Sequence, residues 1–337
     1  MQIIDLSVSV NRLDSCSLKR IEHFFSLFTK TYVRINIKYY VDNLSLISKN
    51  DLSTLFDLEK RMGDYNDARF TSTIVIKDCD LNKSWVSLFN KWEIPLDIYV
   101  ESTDNSNILK TIKTKTTLIL KVANNGIVDL YQQFKQYGHT LEFIDSGDSC
   151  SSLLTEKDGF ALYQRLFENW INDKDGVLVK NFENMVSTVL GGSLKECYVD
   201  SCLGKRFHLF EDGTLSICHR SNIEKCDFGN IDDLAVLNDV YEGDKFYDLV
   251  EKSLAKRKSC SSCKHALSCQ SGCLLDSLKV CGDISKVSPL YCENYKNFFN
   301  LVKEYVNEMS NKRISLDQLN PSFKDILINS LKIDIRL

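Results

Sequence analysis

Six short β-rich runs, separated by stretches of helix length, constrain this chain more than any other feature. The runs cover residues 3–10, 32–40, 70–77, 94–100, 116–122 and 140–144. Between them apolar residues recur near a 3.6-residue period: Leu18, Ile21, Phe25 and Phe28; then Trp85, Leu88, Phe89 and Trp92; then Ile127, Leu130, Tyr131 and Phe134. Strands joined by connections of that length need crossovers, so the sheet is predicted to be mainly parallel. The expected fold class is α/β, a doubly wound sheet or an incomplete β/α barrel.

After a loop at 146–152, a helix is expected over 157–172, with Phe160, Tyr163, Leu166, Phe167 and Trp170 on a broad apolar face. That face reads as core, and any exposed remnant would be a docking surface for a partner enzyme. Phe298, Phe299, Val302, Tyr305 and Val306 have helical spacing, and Asn320 and Pro321 start a last short helix. With Gly191 and Gly192 marking a boundary, the expected domains are 1–190, 191–310 and a helical tail at 311–337. A length of 337 residues suits more than one domain. Lys plus Arg number 42 against 46 Asp plus Glu, a balance that gives no reason to propose nucleic-acid or membrane binding. The opening residues lack a basic secretory segment, and no apolar run reaches membrane-spanning length. A reducing cytoplasm is the expected location.

The cysteines are the second constraint. Cys260, Cys263, Cys269 and Cys273 read C-x2-C-x5-C-x3-C, with Cys197, Cys202 and Cys218 before them and Cys292 after. Eight thiols at such spacings point to two four-thiolate metal sites, and an odd total of 13 fits disulfides poorly. Spacing alone leaves two zinc ions and iron–sulfur clusters both open. Residues 206–218 are predicted to form a hairpin, with Phe207, Leu209, Leu215 and Ile217 flanking Asp212-Gly213 in a type I′ turn. That hairpin would return Cys218 toward Cys202.

The run from Cys202 through Cys218, the knuckle Cys260 to Cys273, and Cys292 resembles the SPASM domain of radical SAM peptide-modifying enzymes, as does Phe228-Gly229-Asn230-Ile231. The resemblance implies two auxiliary 4Fe-4S clusters. Cys197, Cys202, Cys218 and Cys273 would hold the first, and Cys260, Cys263, Cys269 and Cys292 the second. Upstream, the six β/α units look like the partial barrel of a radical SAM core, but the CxxxCxxC of active members is missing. After Val10 the chain reads NRLDSCSLKR and offers Cys16 alone; residues 1–125 contain one glycine, Gly63. The chain therefore resembles pseudo-radical-SAM proteins with a SPASM domain, found in gene sets that modify ribosomally made peptides. That implies no bound SAM and no catalytic residue. The implied partners are a precursor peptide and an active radical SAM maturase, to which the chain lends binding surface or electron-transfer clusters. A peptide-modifying enzyme with an atypical cofactor site and a zinc-stabilised adaptor are the competing readings.

Other residues carry weaker signals. Cys16, Cys79, Cys150, Cys226 and Cys281 read as ordinary thiols, although Cys226 and Cys281 lie close enough in sequence to substitute for a motif member. His219 adjoins Cys218 and His265 lies inside the knuckle; either could ligate metal or donate to a cluster sulfur, but a partly exposed polar residue beside a metal loop is the stronger reading of both. Lys205, Arg206 and Arg220 suit an acidic leader peptide or a solvated strand face. Asp5, Asp78, Asp80 and Asp145 fall at or near strand ends, without acid–base pairing in the sequence.

Overall fold

The computed structural model describes residues 3–29, 31–32, 34–101, 106–122, 126–145, 152–191, 202–220, 226–312 and 319–334. In chain order the elements are β1 (Ile3–Ser9), α1 (Ser15–Thr29), β2 (Arg34–Tyr40), α2 (Lys49–Asn66), β3 (Arg69–Lys77), α3 (Lys83–Trp92), β4 (Leu96–Val100), α4 (Ser106–Leu109), β5 (Thr116–Val122), α5 (Ile127–Lys135), β6 (Thr140–Asp145), α6 (Gly159–Ile171) and α7 (Lys180–Val189). There follow β7 (Arg206–Leu209), β8 (Thr214–Ser216), β9 (Asp227–Asn230), α8 (Leu237–Tyr241), α9 (Asp244–Lys258), α10 (Ala266–Cys269), α11 (Leu274–Cys281), α12 (Pro289–Lys312) and α13 (Pro321–Asp334). All six expected strands form, with ends within about two residues. The chain gathers into two discontinuous compact units, Met1–Thr116 with Cys202–Glu251, and Thr117–Ser201 with Lys252–Leu337.

In the first unit β4, β3, β2, β1 and β7 run parallel in that spatial order, and β8 and β9 continue the sheet antiparallel. Period-two patterning makes the two faces different. Ile4, Leu6 and Val8 of β1 and Ile35, Ile37 and Tyr39 of β2 are buried. Phe207 of β7 lies 5.0 Å from the Phe28 ring of α1, and Phe25 lies 5.1 Å from Phe70 of β3. Helices α2 and α3 start on side-chain caps: Ser48 and Asp51 form a reciprocal capping box on α2, and Asn82 accepts the Ser84 and Trp85 amides on α3.

The hairpin of β7 and β8 pairs His208 with Ser216 and Leu209 with Leu215, but its turn is not type I′. Gly213 has φ +89°, whereas Asp212 is absent from the positive-φ residues that type I′ requires at both central positions. The Gly213 amide bonds the Phe210 carbonyl, and Asp212 Oδ1 accepts the Thr214 amide at 2.9 Å. This is a three-residue loop that ends in left-handed glycine; the Asp212 side chain stabilises the αR-side turn instead of entering αL.

In the second unit β5 and β6 pair in parallel. Helices α6, α7 and α12 bury Phe167, Trp170, Phe182 and Phe298; Phe167 lies 5.3 Å from Phe182 and 5.8 Å from Phe298. Trp170 is fully buried and its Nε1 donates to the Val177 carbonyl at 2.8 Å, so it is core. The last helix is tied in by Asn320, whose Nδ2 donates to the Trp170 carbonyl and whose Oδ1 accepts the Ser322 amide. No helix among the described residues is long and apolar enough to cross a membrane.

Candidate metal centre and substrate face

The knuckle of the second unit is built on a left-handed bend. Gln270, Ser271 and Gly272 have φ of 49°, 68° and 76° in succession, a conformation costly for the two non-glycine residues. A Cβ on Gly272 would stand 2.6 Å from the Tyr291 ring, so only glycine lets α12 approach the bend and bring Cys292 to this region. Lys256, at the end of α9 and 1% exposed, donates to the Gly272 carbonyl at 3.0 Å and the Cys273 carbonyl at 2.9 Å. Burial lowers its pKa, while Cys273, Asp276, Cys269 and Cys260 oppose that shift.

Cys269, Cys292, Cys260 and Cys263 lie close enough to act on one another. Burial first, then these neighbouring thiols, push the Cys269 thiol up to about 12, against a hydrogen bond from the Ser271 amide. Cys292 bonds the Lys296 ammonium, raising the pKa of that lysine. Among the described residues, no three His, Cys, Asp or Glu side chains close on a point that one metal ion could occupy. The donor set nevertheless fits a thiolate-bound group: four sulfurs within electrostatic reach, one bonded by an amide and one by an ammonium, both favouring the thiolate form.

Of the other thiols in the motif, Cys202 is buried ahead of β7 and Cys218 follows β8, both in the first unit, while Cys273 belongs to the second; Cys197 lies outside the described residues. Cys218 Sγ accepts the Arg220 amide at 3.4 Å, the same two-residue offset by which Ser271 serves Cys269. Cys226 is buried, and its carbonyl accepts the Ser216 hydroxyl at 3.1 Å. Cys16 and Cys79 are exposed, Cys281 is half-buried, and Cys150 is outside the described residues.

The second face of the β7-β1-β2-β3 sheet is polar. Asp5 accepts from Asn36 at 2.9 Å and faces Arg206 at 3.4 Å; Lys38 pairs with Asp97 at 2.5 Å. His208 is fully buried between two serines, Nδ1 at 2.8 Å from Ser7 and Nε2 at 3.0 Å from Ser9. Ser7 Oγ also lies 3.3 Å from the Phe207 carbonyl, so each ring nitrogen has a hydroxyl partner and the tautomer sets which atom donates. Burial lowers the His208 pKa to about 3, which keeps the imidazole neutral. Tyr40 stacks on His219 at 4.2 Å, and burial with the charges of His208, Arg220, Lys38 and Arg206 holds His219 well below its usual pKa.

Asp14 Oδ1 accepts the amides of Cys16 and Ser17 at 3.0 and 2.9 Å and the Ser17 hydroxyl at 2.9 Å, so α1 begins on a carboxylate cap. Asn11 is tied to Asp42 by two hydrogen bonds and to Glu211 through its amide.

No family model matches the chain. Curated relatives are cysteine-type anaerobic sulfatase-maturating enzymes. That of Clostridium perfringens is 25% identical over 224 residues, 63% of this chain and 55% of its own length. That of Clostridium novyi is 24% identical over 209 residues, 58% and 55%. The homologues of this chain are anaerobic sulfatase-maturating radical SAM/SPASM enzymes. The chain thus spans about half the length of the curated relatives it matches. Among solved structures, a hexahistidine-tagged anSMEcpe with bound AdoMet superposes with TM-score 0.76 at 15% identity, covering 97% of this chain and 98% of that one. Native anSMEcpe with bound AdoMet and Cp18Cys peptide gives 0.75 at 16%, covering 92% and 99%. The α/β fold with a mixed sheet is shared with these sulfatase-maturating enzymes.

Of the aspartates, Asp5 is in the polar face and Asp78 is buried, accepting the Glu101 amide at 2.9 Å. Burial raises the pKa of Asp80. A carboxyl pair was missed in the sequence: Asp145, at the end of β6, faces Lys279 at 3.5 Å and hydrogen-bonds Glu156, whose pKa is raised by burial and by Asp145. Asp145 ends β6 and Glu156 follows the short turn Leu153–Thr155, so the two acids share no single helix or strand whose period could have joined them. The serines around His208 were missed too, since only the parallel pairing of β7 with β1 brings Ser7 to His208.

Proposed function

We propose that this chain is a radical SAM-like protein with a SPASM-type metal domain, serving the maturation of a ribosomally made peptide without SAM chemistry of its own. It acts in the cytoplasm as a peptide-binding or electron-transfer partner of an active radical SAM maturase. The observation that carries this reading is the β1–α1 loop, where Asp14 caps a helix and Cys16 is the lone thiol. Activation of SAM needs three thiolates there. The relatives' solved chains carry AdoMet; the loop here offers no comparable ligand set.

Cys197, Cys202, Cys218 and Cys273 would hold one 4Fe-4S cluster, and Cys260, Cys263, Cys269 and Cys292 the other. When bound, such clusters supply one-electron redox chemistry and fix the fold around them. The Ser271 and Arg220 amides stabilise negative charge on Cys269 and Cys218, and the Lys256 ammonium offsets thiolate charge from within the knuckle. On the polar face, the Ser9 and Tyr40 side chains and the Lys38–Asp97 pair give a peptide backbone both donors and acceptors.

The test is anaerobic purification with iron, sulfide and zinc analysis, then incubation with SAM and a strong reductant. Two clusters give about eight irons per chain, and no deoxyadenosine forms. Release of deoxyadenosine by the isolated chain would show a peptide-modifying enzyme instead, and about two zinc ions without iron a zinc-stabilised adaptor.

A further inference from the structure

We infer that His265 donates a hydrogen bond from Nε2 to the group held by Cys260, Cys263, Cys269 and Cys292, and so helps to set its reduction potential. The inference rests on the iron–sulfur reading above. His265 is 5% exposed, and its Nε2 is buried without a hydrogen-bond partner among the described residues. Buried polar atoms of this kind are rare because they forfeit solvation without compensation, so the atom calls for a partner that protein alone does not provide.

Its surroundings limit what that partner is. The residue sits between Cys263 and Cys269, and its carbonyl accepts the Cys269 amide at 2.8 Å and the Ser268 hydroxyl at 3.0 Å, which locks its backbone into the turn that presents Cys269. Phe299 meets the imidazole at 4.8 Å and 69° and offers no acceptor beyond its ring. The charges acting on the ring are Lys264, Lys296 and Lys303, ammonium groups that only donate. One of them, Lys296, also bonds Cys292, so the histidine shares its neighbourhood with a fourth thiol. The thiolate and sulfide sulfurs of the bound group would be acceptors for that N–H. A donor to sulfur stabilises the more negative, reduced state and raises the potential.

The experiment uses the full chain, purified anaerobically as wild type, His265→Phe and His265→Gln, with iron and sulfide analysis and redox titration followed by electron paramagnetic resonance. The expected result is full iron in all three. The midpoint of one cluster moves to more negative potential in His265→Phe, and moves back toward wild type in His265→Gln, which retains an N–H donor. Unchanged midpoints at full iron overturn the donor role while leaving the clusters in place. Loss of half the iron in both variants also overturns it, by making His265 a ligand. An iron-free wild type removes the iron–sulfur reading and this inference together.

Discussion

Glu59 shows how one side chain ties stability to pH. It is 7% exposed, its two oxygens lie 2.7 and 2.6 Å from the single Ser72 hydroxyl, Tyr39 donates to it, and burial raises its pKa to about 7. A carboxyl group with a raised folded pKa favours the protonated fold: its contribution is greatest below the unfolded value, falls as pH rises from about 4.5 to about 7, and stays flat above. Denaturant titrations across that window should give a declining stability that Glu59→Gln flattens, the difference reaching on the order of 3 kcal/mol. An equal slope in the variant would refute the assignment. Gly272 is the other decisive residue. Gly272→Ala meets both a positive φ and the Tyr291 ring, so it should lower iron content after anaerobic purification as well as thermal stability. Wild-type iron in that variant would show that the bend does not position Cys292.

At the scale of elements, the second unit depends on the aromatic contacts among α6, α7 and α12. Phe167 is fully buried, with Trp170, Phe182, Phe298 and Tyr305 all within 6 Å. Phe167→Ala should therefore cost about 3–5 kcal/mol by lost transfer and an unfilled cavity. A loss under about 1 kcal/mol, read from denaturant midpoints, would mean that the helices collapse into the gap. The β1–α1 connection makes a different prediction. Arg12→Cys with Lys19→Cys restores C-x3-C-x2-C spacing around Cys16, yet the Asp14 cap holds Cys16 in the first turn of a helix that begins after Arg12 and contains Lys19. The double variant should gain no iron and cleave no SAM. Four further irons with deoxyadenosine release would show that thiols alone were lost. The same scale explains why helix 157–172 was legible from its apolar period, while the hairpin was legible only as a hairpin. Dipeptide composition suggested type I′, and the Asp212–Thr214 hydrogen bond selected a longer turn.

At the scale of the molecule, the proposed role requires association. Anaerobic affinity purification with a neighbouring CxxxCxxC protein and its precursor peptide should recover a complex, and failure with all three present would remove the partner role. Sequence alone determined the six strands, their mainly parallel order and the thiol spacings, because side-chain period and short-range turns are local properties. It did not disclose that β7, about two hundred residues downstream, lies beside β1, nor that His208 is held neutral between Ser7 and Ser9. It also left unseen the buried ammonium of Lys256 and the meeting of Asp145 with Glu156. Those arrangements depend on which distant segments pack together and how much water they exclude. Burial and long-range pairing, which set a group's charge and its partners, belong to the folded chain and are not encoded in the spacing of neighbours.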